Sequence, residues 1–336
     1  MKRKWTVILA LIIIAVGIFL NYPTSYYLEV PGSAEDVAKF VKVDNDKPIQ
    51  NDQFYLTTVG IKKATNLSLF LSRFQPHVTA ISSQELTGGV SDEQYLKVQQ
   101  FFMQNSQNAA IVNAYKKTNT PYNQKYLGVN VLQVDDKSHF AQSLKSGDVI
   151  TGINGQYFEQ TSDLIRYVSS FDENQEIKLE VKRANETLEL SGKTMRLEAT
   201  GKVGIGVSLV DETELTTTPK ASINAGAIGG PSAGLMFSLA VYQQLTQEDL
   251  THGQKVAGTG TIDPDGNVGT IGGIDKKVVA ASDAGAKVFF APEAMGENNQ
   301  TNYEVAKKTA EEMKLSMKIV PVKTFDEALN YLKNTV

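Results

Sequence analysis

A serine and a lysine near the end of the chain have the residue types and surroundings of a catalytic pair. Ser232 lies in the segment Gly-Gly-Pro-Ser-Ala-Gly (residues 229–234), and Lys277 closes the segment Gly-Gly-Ile-Asp-Lys-Lys (residues 272–277). A serine hydroxyl attacks a carbonyl carbon only when a base removes its proton, and a lysine amine can do so at neutral pH if its site keeps it uncharged. The two segments therefore predict hydrolysis with Ser232 as the nucleophile and Lys277 as the general base.

The spacing around Lys277 predicts that its side chain faces the protein core. At about 100° per residue, Lys277 shares one stripe of a helix with apolar residues, while its neighbour Lys276 points toward water. Burial deprives an ammonium group of hydration and lowers its pKa, by about 3–5 units when burial is complete. We therefore expect a buried, uncharged Lys277 and a solvated Lys276. The apolar members of the stripe are Ile274, Val278, Ala281 and Ala284.

The segment around Ser232 predicts the start of a buried helix. Pro231 favours the first position of a helix, and residues 232–245 are almost wholly apolar. Backbone amides are free at a helix N-terminus, and together with the positive end of the helix dipole they can stabilise an oxyanion. Thr259 lies between the two segments, and its hydroxyl can orient the amine of Lys277.

Each of these signals has a common structural explanation when it stands alone. A Gly-Pro-Ser-Ala-Gly segment is more often a helix-start turn than a nucleophile. A single helix lysine more often extends along an apolar surface to reach water. The joint occurrence of Ser232, Thr259 and Lys277 favours catalysis over both explanations.

At these residues the chain resembles the proteolytic domain of the Lon family, whose serine lies in a Gly-Pro-Ser-Ala-Gly turn and whose lysine lies in a later Gly-Gly-x-x-x-Lys helix. The resemblance implies that Ser232 is the nucleophile, Lys277 the general base and Thr259 the residue bonded to that lysine. Two features depart from the family. The acidic residue that many Lon proteases carry before Gly-Pro-Ser is Gly229 here, and the sequence contains no Gly-x-x-x-x-Gly-Lys-[Ser/Thr] phosphate loop. We therefore expect a peptidase that uses neither ATP nor another cofactor and cuts peptides, loops or unfolded tails.

Composition narrows the class of protein further. A chain of 336 residues is long enough for about two domains. Its 33 basic and 37 acidic residues give a net charge of −4, which argues against a nucleic-acid partner. The absence of cysteine excludes a cysteine nucleophile and disulfides. The histidines His77, His139 and His252 lack metal-ligand spacing, so we expect no metal site.

The amino-terminal segment predicts a membrane anchor over residues 1–25. Lys2, Arg3 and Lys4 precede an uncharged, mostly apolar run of 16 residues from Trp5 to Leu20. This run is short for a span of about 20 residues, but extension through Pro23 makes it adequate. A cleaved signal peptide is the alternative, but no Ala-x-Ala site follows the run, which favours an uncleaved anchor. Positive charges stay in the cytoplasm, so residues from about 25 onward are expected outside the cell.

The segment after the anchor, residues 33–120, is expected to be the first part of the protease domain. Residues 26–32 and 54–59 have the aromatic and β-branched content of extended strands. Residues 92–117 have helical periodicity. Within that helix, residues 103–110 resemble the helix that precedes the active-site half of Lon proteolytic domains.

Residues 122–197 are predicted to form an inserted β-rich module with two short helices. We expect strands over residues 128–134, 147–155 and 176–182, and helices over residues 140–144 and 162–171. The Gly-Asp-Val-Ile-x-x-Ile-Asn-Gly series resembles bacterial PDZ domains. That resemblance implies that Tyr126, Leu127, Gly128 and Val129 form a loop whose amides bind a peptide C-terminus, while the peptide extends the sheet beside the second helix. The alternative is a module that braces or gates the protease and whose groove is occupied.

Residues 201–336 are predicted to complete the protease domain, with the Ser-Lys pair and a closing α/β layer. The predicted strands are 203–210, 255–262, 287–290 and 318–322, the predicted helices are 303–314 and 324–332, and residues 213–228 are expected to be rich in loops. The fold class is thus α/β (α+β): a Lon-type proteolytic domain with an inserted PDZ domain, preceded by one transmembrane helix.

The order of anchor, PDZ-like insertion and Lon-like half resembles the membrane-anchored SepM- and YlbL-type proteases. The resemblance implies a membrane-bound serine endopeptidase acting outside the cell on secreted peptides, of which a pheromone used in quorum sensing or competence is one candidate. Two alternatives stay open: a catalytically dead membrane scaffold, and a general quality-control protease for unfolded envelope proteins. Lon-like proteases form rings, so the resemblance leaves open an oligomer of this chain.

Overall fold

The computed structural model describes residues 2–44, 53–184, 186–198, 200–296 and 299–335. The chain forms two compact units. The first contains Met1–Tyr95, Phe102–Thr120 and Ala221–Val336, and the second contains Leu96–Phe101 and Pro121–Lys220. The second unit is therefore formed by segments that lie between segments of the first.

The structure contains nine α-helices among the residues that it describes. The predicted helix over residues 92–117 is confirmed from end to end, and Ser91 and Gln94 cap its start. The helices are α1 (Lys2–Asn21), α2 (Asn66–Ser72), α3 (Ser83–Thr87), α4 (Asp92–Lys117), α5 (Thr161–Ser169), α6 (Gly234–Thr246), α7 (Ile274–Asp283), α8 (Asn302–Glu312) and α9 (Phe325–Thr335).

Strands account for many of the remaining described residues in both units. The strands are β1 (Pro23–Asp36), β2 (Val41–Val43), β3 (Phe54–Thr65), β4 (Thr79–Ser82), β5 (Tyr122–Val134), β6 (Val149–Ile153), β7 (Gln156–Tyr157), β8 (Glu176–Arg183), β9 (Glu186–Lys193), β10 (Met195–Arg196), β11 (Val203–Gly204), β12 (Val207–Thr217), β13 (Ala221–Ile223), β14 (Val256–Gly258), β15 (Thr261–Ile262), β16 (Val268–Gly269), β17 (Val288–Pro292) and β18 (Lys318–Val322).

The amino-terminal helix α1 is long and apolar enough to cross a membrane. Its segment Lys4–Asn21 has a mean hydropathy of 2.2, and none of it is buried within the protein. Only Tyr22 separates the end of α1 from the start of β1. The first unit therefore contains one candidate membrane span among its described residues, joined directly to a strand of its main sheet.

A six-stranded mixed sheet forms the centre of the first unit, in the order β18-β17-β14-β3-β1-β4. Strands β18, β17, β14 and β3 run parallel, whereas β1 is antiparallel to both β3 and β4. Parallel strands buried on both faces are almost entirely apolar, and β17 is buried over its full length. Helix α6 contacts β3 and β14, and α7 contacts β1, β3 and β17, so the sheet positions both helices of the predicted active site.

The second unit is built on an antiparallel sheet in the order β12-β5-β6-β8-β9. Helix α5 packs its apolar face, including Leu164 and Val168, into the core of this unit. The helix predicted over residues 140–144 is wrong. Consecutive turns replace it, because Ser138 bonds the amide of Phe140 and the Phe140 carbonyl accepts from Leu144 in a single helical turn that does not continue.

The inserted unit extends beyond the predicted boundary at residue 197 and ends at Lys220. The reason is β12, which pairs with β5 from Val207 opposite Val134 to Thr217 opposite Tyr122. The strand predicted over residues 203–210 is interrupted at Gly206, whose φ is +68°, and residues 213–217 are strand instead of loop.

Candidate active site

Ser232 and Lys277 lie in direct contact. The Nζ of Lys277 is 2.7 Å from the Oγ of Ser232. This separation is within the range for a hydrogen bond between a nucleophile and its base. Ser232 belongs to the turn before α6 and Lys277 to the first half of α7. The fold therefore brings together the two segments that the sequence singled out.

Thr259 lies on the other side of the amine and fixes its direction. Its Oγ1 is 3.0 Å from the Nζ of Lys277, and its hydroxyl donates at 3.0 Å to the carbonyl oxygen of Ser232. The threonine proton is thus committed to that carbonyl, so its oxygen can only accept from the amine. In the uncharged amine, one N–H is directed at Thr259 and the lone pair can face the hydroxyl of Ser232.

Burial brings the pKa of the Lys277 amine close to neutral pH. The residue is 2% exposed, and desolvation lowers its pKa from 10.5 to about 7, with the charge of Glu29 acting in the opposite direction. A lysine with such a pKa is largely uncharged under mildly alkaline conditions, and it can still accept a proton. These are the properties that a general base needs.

Peptide hydrolysis is expected to rise roughly tenfold between pH 6 and pH 8, because that range crosses the pKa of Lys277 and frees its lone pair. The pH profile of kcat/KM on a fluorogenic peptide measures this rise. The same burial makes the folded state bind fewer protons than the unfolded state between pH 7 and pH 10.5, so this residue's contribution to stability increases with pH across that window. A rate that stays flat from pH 5 to 9 would contradict a lysine base.

The prediction that Lys276 faces water is wrong. Lys276 is 3% exposed, and its Nζ lies 3.2 Å from Glu29 and 3.1 Å from Asp275. Asp275 also lies 3.5 Å from Nδ1 of His77. Strand β1 packs against α7 and supplies the carboxylate of Glu29, so Lys276 is buried beside an acidic partner instead of solvated.

The turn that carries Ser232 differs in detail from the predicted helix start. Helix α6 begins at Gly234, so Pro231 and Ser232 precede it. Gly230 has a φ of +84°, a conformation that glycine adopts without steric cost. The hydroxyl of Ser106 in α4 donates to the carbonyl of Pro231 at 2.8 Å. Helix α4 therefore stabilises the turn through this hydrogen bond to Pro231.

A cavity of about 510 Å³ opens beside Ser232. Its wall is formed by the turn itself, by β1 and β3, and by residues 225–229. The apolar side chains on this wall are Phe40, Leu56, Val59, Met103, Ala225 and Ile228, and the acidic one is Glu35. The wall is therefore mixed: apolar side chains alternate with the hydroxyls of Ser33, Thr57 and Thr58, and Glu35 supplies one carboxylate.

Sequence reasoning misses two residues that shape the site. Glu29 is far from Lys276 along the chain. It lies in β1, whose residue pattern does not indicate which charged residue Glu29 contacts. Ser106 lies within the predicted Lon-like helix, yet no local motif links it to Pro231. Only the pairing of β1 with β3 and the packing of α4 against the Ser232 turn bring these contacts about.

The four residues predicted to bind a peptide C-terminus lie within strand β5 instead of a loop. Gly128 and Val129 pair with Glu212 and Asp211 of β12, and Leu127 is the extra residue of a bulge. Gly128 has a φ of +141°, and a Cβ there would lie 2.5 Å from the carbonyl oxygen of Ile150. Tyr126 lies opposite Thr213.

Strand β12 occupies the position that a peptide ligand would take beside β5 and α5. It pairs with β5 along the whole strand, and Asp211 of β12 accepts a hydrogen bond from Thr161 at the start of α5. The edge of β5 that was expected to receive a peptide is thus covered by the chain itself. Within the described ranges, histidine, aspartate and glutamate form no cluster of three that could hold a metal ion.

Two protein families match the chain. Residues 213–334 match the Lon protease (S16) C-terminal proteolytic domain. Residues 100–194 match the PDZ domain. The first match contains Ser232, Thr259 and Lys277, and the second contains β5 and α5.

Curated relatives agree with the first match. The Lon protease of Mycoplasma mobile is 39% identical over 103 residues, which are 31% of this chain and 11% of that protein. The Lon protease of Trichlorobacter lovleyi is 38% identical over 109 residues, 32% of this chain and 12% of that protein. The chain thus spans about a ninth of the length of these relatives.

Among solved structures, the PDZ domain of the SdrC-like protein from Listeria monocytogenes is similar to this chain. It is 31% identical, and the match covers 26% of this chain and 90% of that domain with a TM-score of 0.25. By the family matches, residues 213–334 are thus similar to a Lon-type proteolytic domain of the S16 family, and residues 100–194 are similar to a PDZ domain.

Proposed function

We propose that the protein is a serine endopeptidase in which Ser232 and Lys277 form the catalytic dyad and Thr259 orients the lysine. The observation that carries the proposal is the 2.7 Å contact between the buried amine and the serine hydroxyl. The burial of Lys277, its lowered pKa and the match to an S16 proteolytic domain support it.

The proposed reaction follows from the positions of these groups. The uncharged Nζ of Lys277 takes the hydroxyl proton as the oxygen of Ser232 attacks the scissile carbonyl carbon. The resulting oxyanion is stabilised by backbone N–H groups of the turn at Ser232 and Ala233. The ammonium then returns its proton to the leaving amine, and the C–N bond breaks to give a serine ester. Water, deprotonated by the same lysine, hydrolyses the ester and restores the serine.

The cavity beside Ser232 suggests which bonds are cut. Because its wall includes several apolar side chains, a substrate with an aliphatic or aromatic side chain on the acyl side of the scissile bond could bury that side chain there. Removal of such a side chain from water is worth about 1.5–3 kcal/mol. Substrates with a charged residue at this position are expected to react much more slowly.

The proposed site of action is the outer face of a membrane. Helix α1 begins with basic residues, which favours a cytoplasmic N-terminus and a catalytic unit outside the cell. No phosphate-binding loop occurs in the 336 residues, so we propose hydrolysis without ATP. Short exported peptides, including peptide pheromones, are the substrates that such an enzyme can reach and cut without an unfolding motor.

The PDZ unit is proposed to be closed by its own strand. Capture of a peptide C-terminus at Tyr126–Val129 would require β12 to leave β5, with loss of the strand pairing from Tyr122 to Val134. We therefore favour a module whose groove is filled over one that captures the substrate tail.

Mass spectrometry of exported peptides tests the proposed substrate class. The full chain is incubated with peptides from a culture medium, and the products are compared with those of the Ser232→Ala variant. A dedicated processing enzyme yields a few products cut after apolar residues, whereas a quality-control protease yields many unrelated fragments. If the PDZ groove is closed, peptides amidated at the C-terminus are cut as fast as their free-acid forms. Peptides left uncut by both proteins would contradict the proposal.

A further inference from the structure

Helix α2 carries an apolar stripe that faces outward. Leu67, Phe70 and Leu71 follow the spacing i, i+3, i+4, which places them on one face of α2. Phe74 follows in the turn after the helix, where its amide donates to the carbonyl of Leu71. In a water-soluble domain this face normally packs against the core. Here the four residues are 37%, 56%, 44% and 73% exposed, respectively.

The outward orientation is fixed by the structure of the helix. Thr65 and Ser68 form a reciprocal capping box that defines the start of α2. The opposite side of the helix contacts β1 and β3, and Ser72 is buried on that side. The rings of Phe70 and Phe74 pack edge to face with centroids 5.5 Å apart. The stripe is therefore an ordered apolar surface.

The stripe lies next to the end of the candidate membrane span. The side-chain amide of Asn66, the first residue of α2, donates to the carbonyl of Phe19 at 2.8 Å. The backbone amide of Asn66 donates to the carbonyl of Tyr22 at 3.2 Å. Since Phe19 is in the last turn of α1, these bonds hold α2 at the level where α1 ends.

The length and charge of the neighbouring segments fit a lipid surface at that level. The apolar run of 16 residues in α1 is about 24 Å long, shorter than the hydrocarbon core of about 30 Å. Additional apolar surface at its outer end would relieve this mismatch. Residues 66–78 contain Arg73 and no acidic residue, and Lys62 and Lys63 of β3 are exposed nearby in sequence. Basic groups beside an apolar stripe suit anionic headgroups.

We infer that α2 and Phe74 form a second membrane-contact element, which lies in the interface with the outer leaflet and seats the proteolytic unit against the bilayer. The inference rests on the proposed membrane anchoring by α1. The partner is the lipid surface itself, through partial insertion of the two phenylalanines and two leucines.

Tryptophan placed in the stripe tests the inference. The full chain is reconstituted in vesicles of phosphatidylcholine and phosphatidylglycerol after Trp5→Phe removes the single native tryptophan. Phe74→Trp is the probe. Met295→Trp is the control, because Met295 is 64% exposed and follows β17, in the half of the sheet away from β1 and β4. With brominated acyl chains in the lipid, quenching of the probe is expected to exceed that of the control by roughly twofold or more.

Equal quenching of both tryptophans in protein that floats with the vesicles would overturn the inference and leave the anchor intact. Protein that fails to float would overturn the anchor itself, and with it this inference. A blue shift of the probe that depends on protein concentration in detergent, without quenching by brominated lipid, would assign the stripe to contact with a second copy of the chain and so also overturn it.

Discussion

Replacement of Ser232 by alanine is expected to lower peptide hydrolysis by about a thousandfold or more, because the attacking oxygen is lost. The change deletes one atom from a partly exposed turn and leaves Pro231 bonded to Ser106. The thermal unfolding temperature should therefore stay close to that of the parent. Initial rates on a fluorogenic peptide, measured beside a thermal melt, separate the loss of chemistry from a loss of folding.

Ser238→Ala is the matched control for that experiment. Ser238 lies on α6, is fully buried, and donates to the carbonyl of Gly234 at 2.9 Å without lining the cavity. Its loss should cost some stability and leave kcat nearly unchanged. A purified Ser232→Ala protein that cuts the peptide at the parental rate would show that another residue is the nucleophile.

Replacement of Lys277 by methionine is expected to have an effect of similar size, about a thousandfold on kcat, because methionine fills the same space without a lone pair for the serine proton. The buried position should accept methionine well. Removal of an amine that is costly to protonate is expected to raise stability at pH values below 7, where the native lysine must carry charge in a dry site. Steady-state kinetics and melts at pH 6 and pH 8 measure both effects.

Lys276→Met provides the comparison, because Lys276 is the neighbouring lysine and is buried beside Glu29 instead of solvated. The substitution leaves the carboxylate of Glu29 without its partner at 3.2 Å, so we expect a loss of about 1–3 kcal/mol of stability. Hydrolysis should fall far less than in Lys277→Met. Equal losses of kcat in the two variants at a temperature where both are folded would contradict the assignment of the base to Lys277.

The sequence predicts Lys277 more reliably than Lys276, and the reason is physical. A helical wheel identifies which side chains share the apolar stripe, and Lys277 with Ile274 and Val278 is indeed buried. It cannot reveal that a strand from the other end of the chain covers the adjacent face. The carboxylate of Glu29 makes burial of Lys276 possible, and only the sheet order brings β1 beside α7.

Contacts between segments that are distant along the chain also explain the errors in the prediction of the inserted unit. Local composition predicts the strands over residues 176–182 and 147–155 well, because their alternation and turn residues are short-range signals. The pairing of β12 with β5 joins residues about eighty positions apart, so the end of the unit and the covered edge at Tyr126–Val129 depend on long-range pairing. Periodicity within a segment carries no information about such a partner.

The pairing of Tyr122 with Thr217, and the bond from the amide of Thr218 to the carbonyl of Pro121, bring the entry and exit of the inserted unit side by side. Topologically, residues 121–220 are the enlarged tip of a hairpin. Closing such a tip costs entropy that grows only slowly with its length. The surrounding fold can therefore tolerate exchange, trimming or replacement of this unit over evolutionary time. The elements that hold the serine and lysine lie outside residues 121–220, so such changes leave their sequences intact.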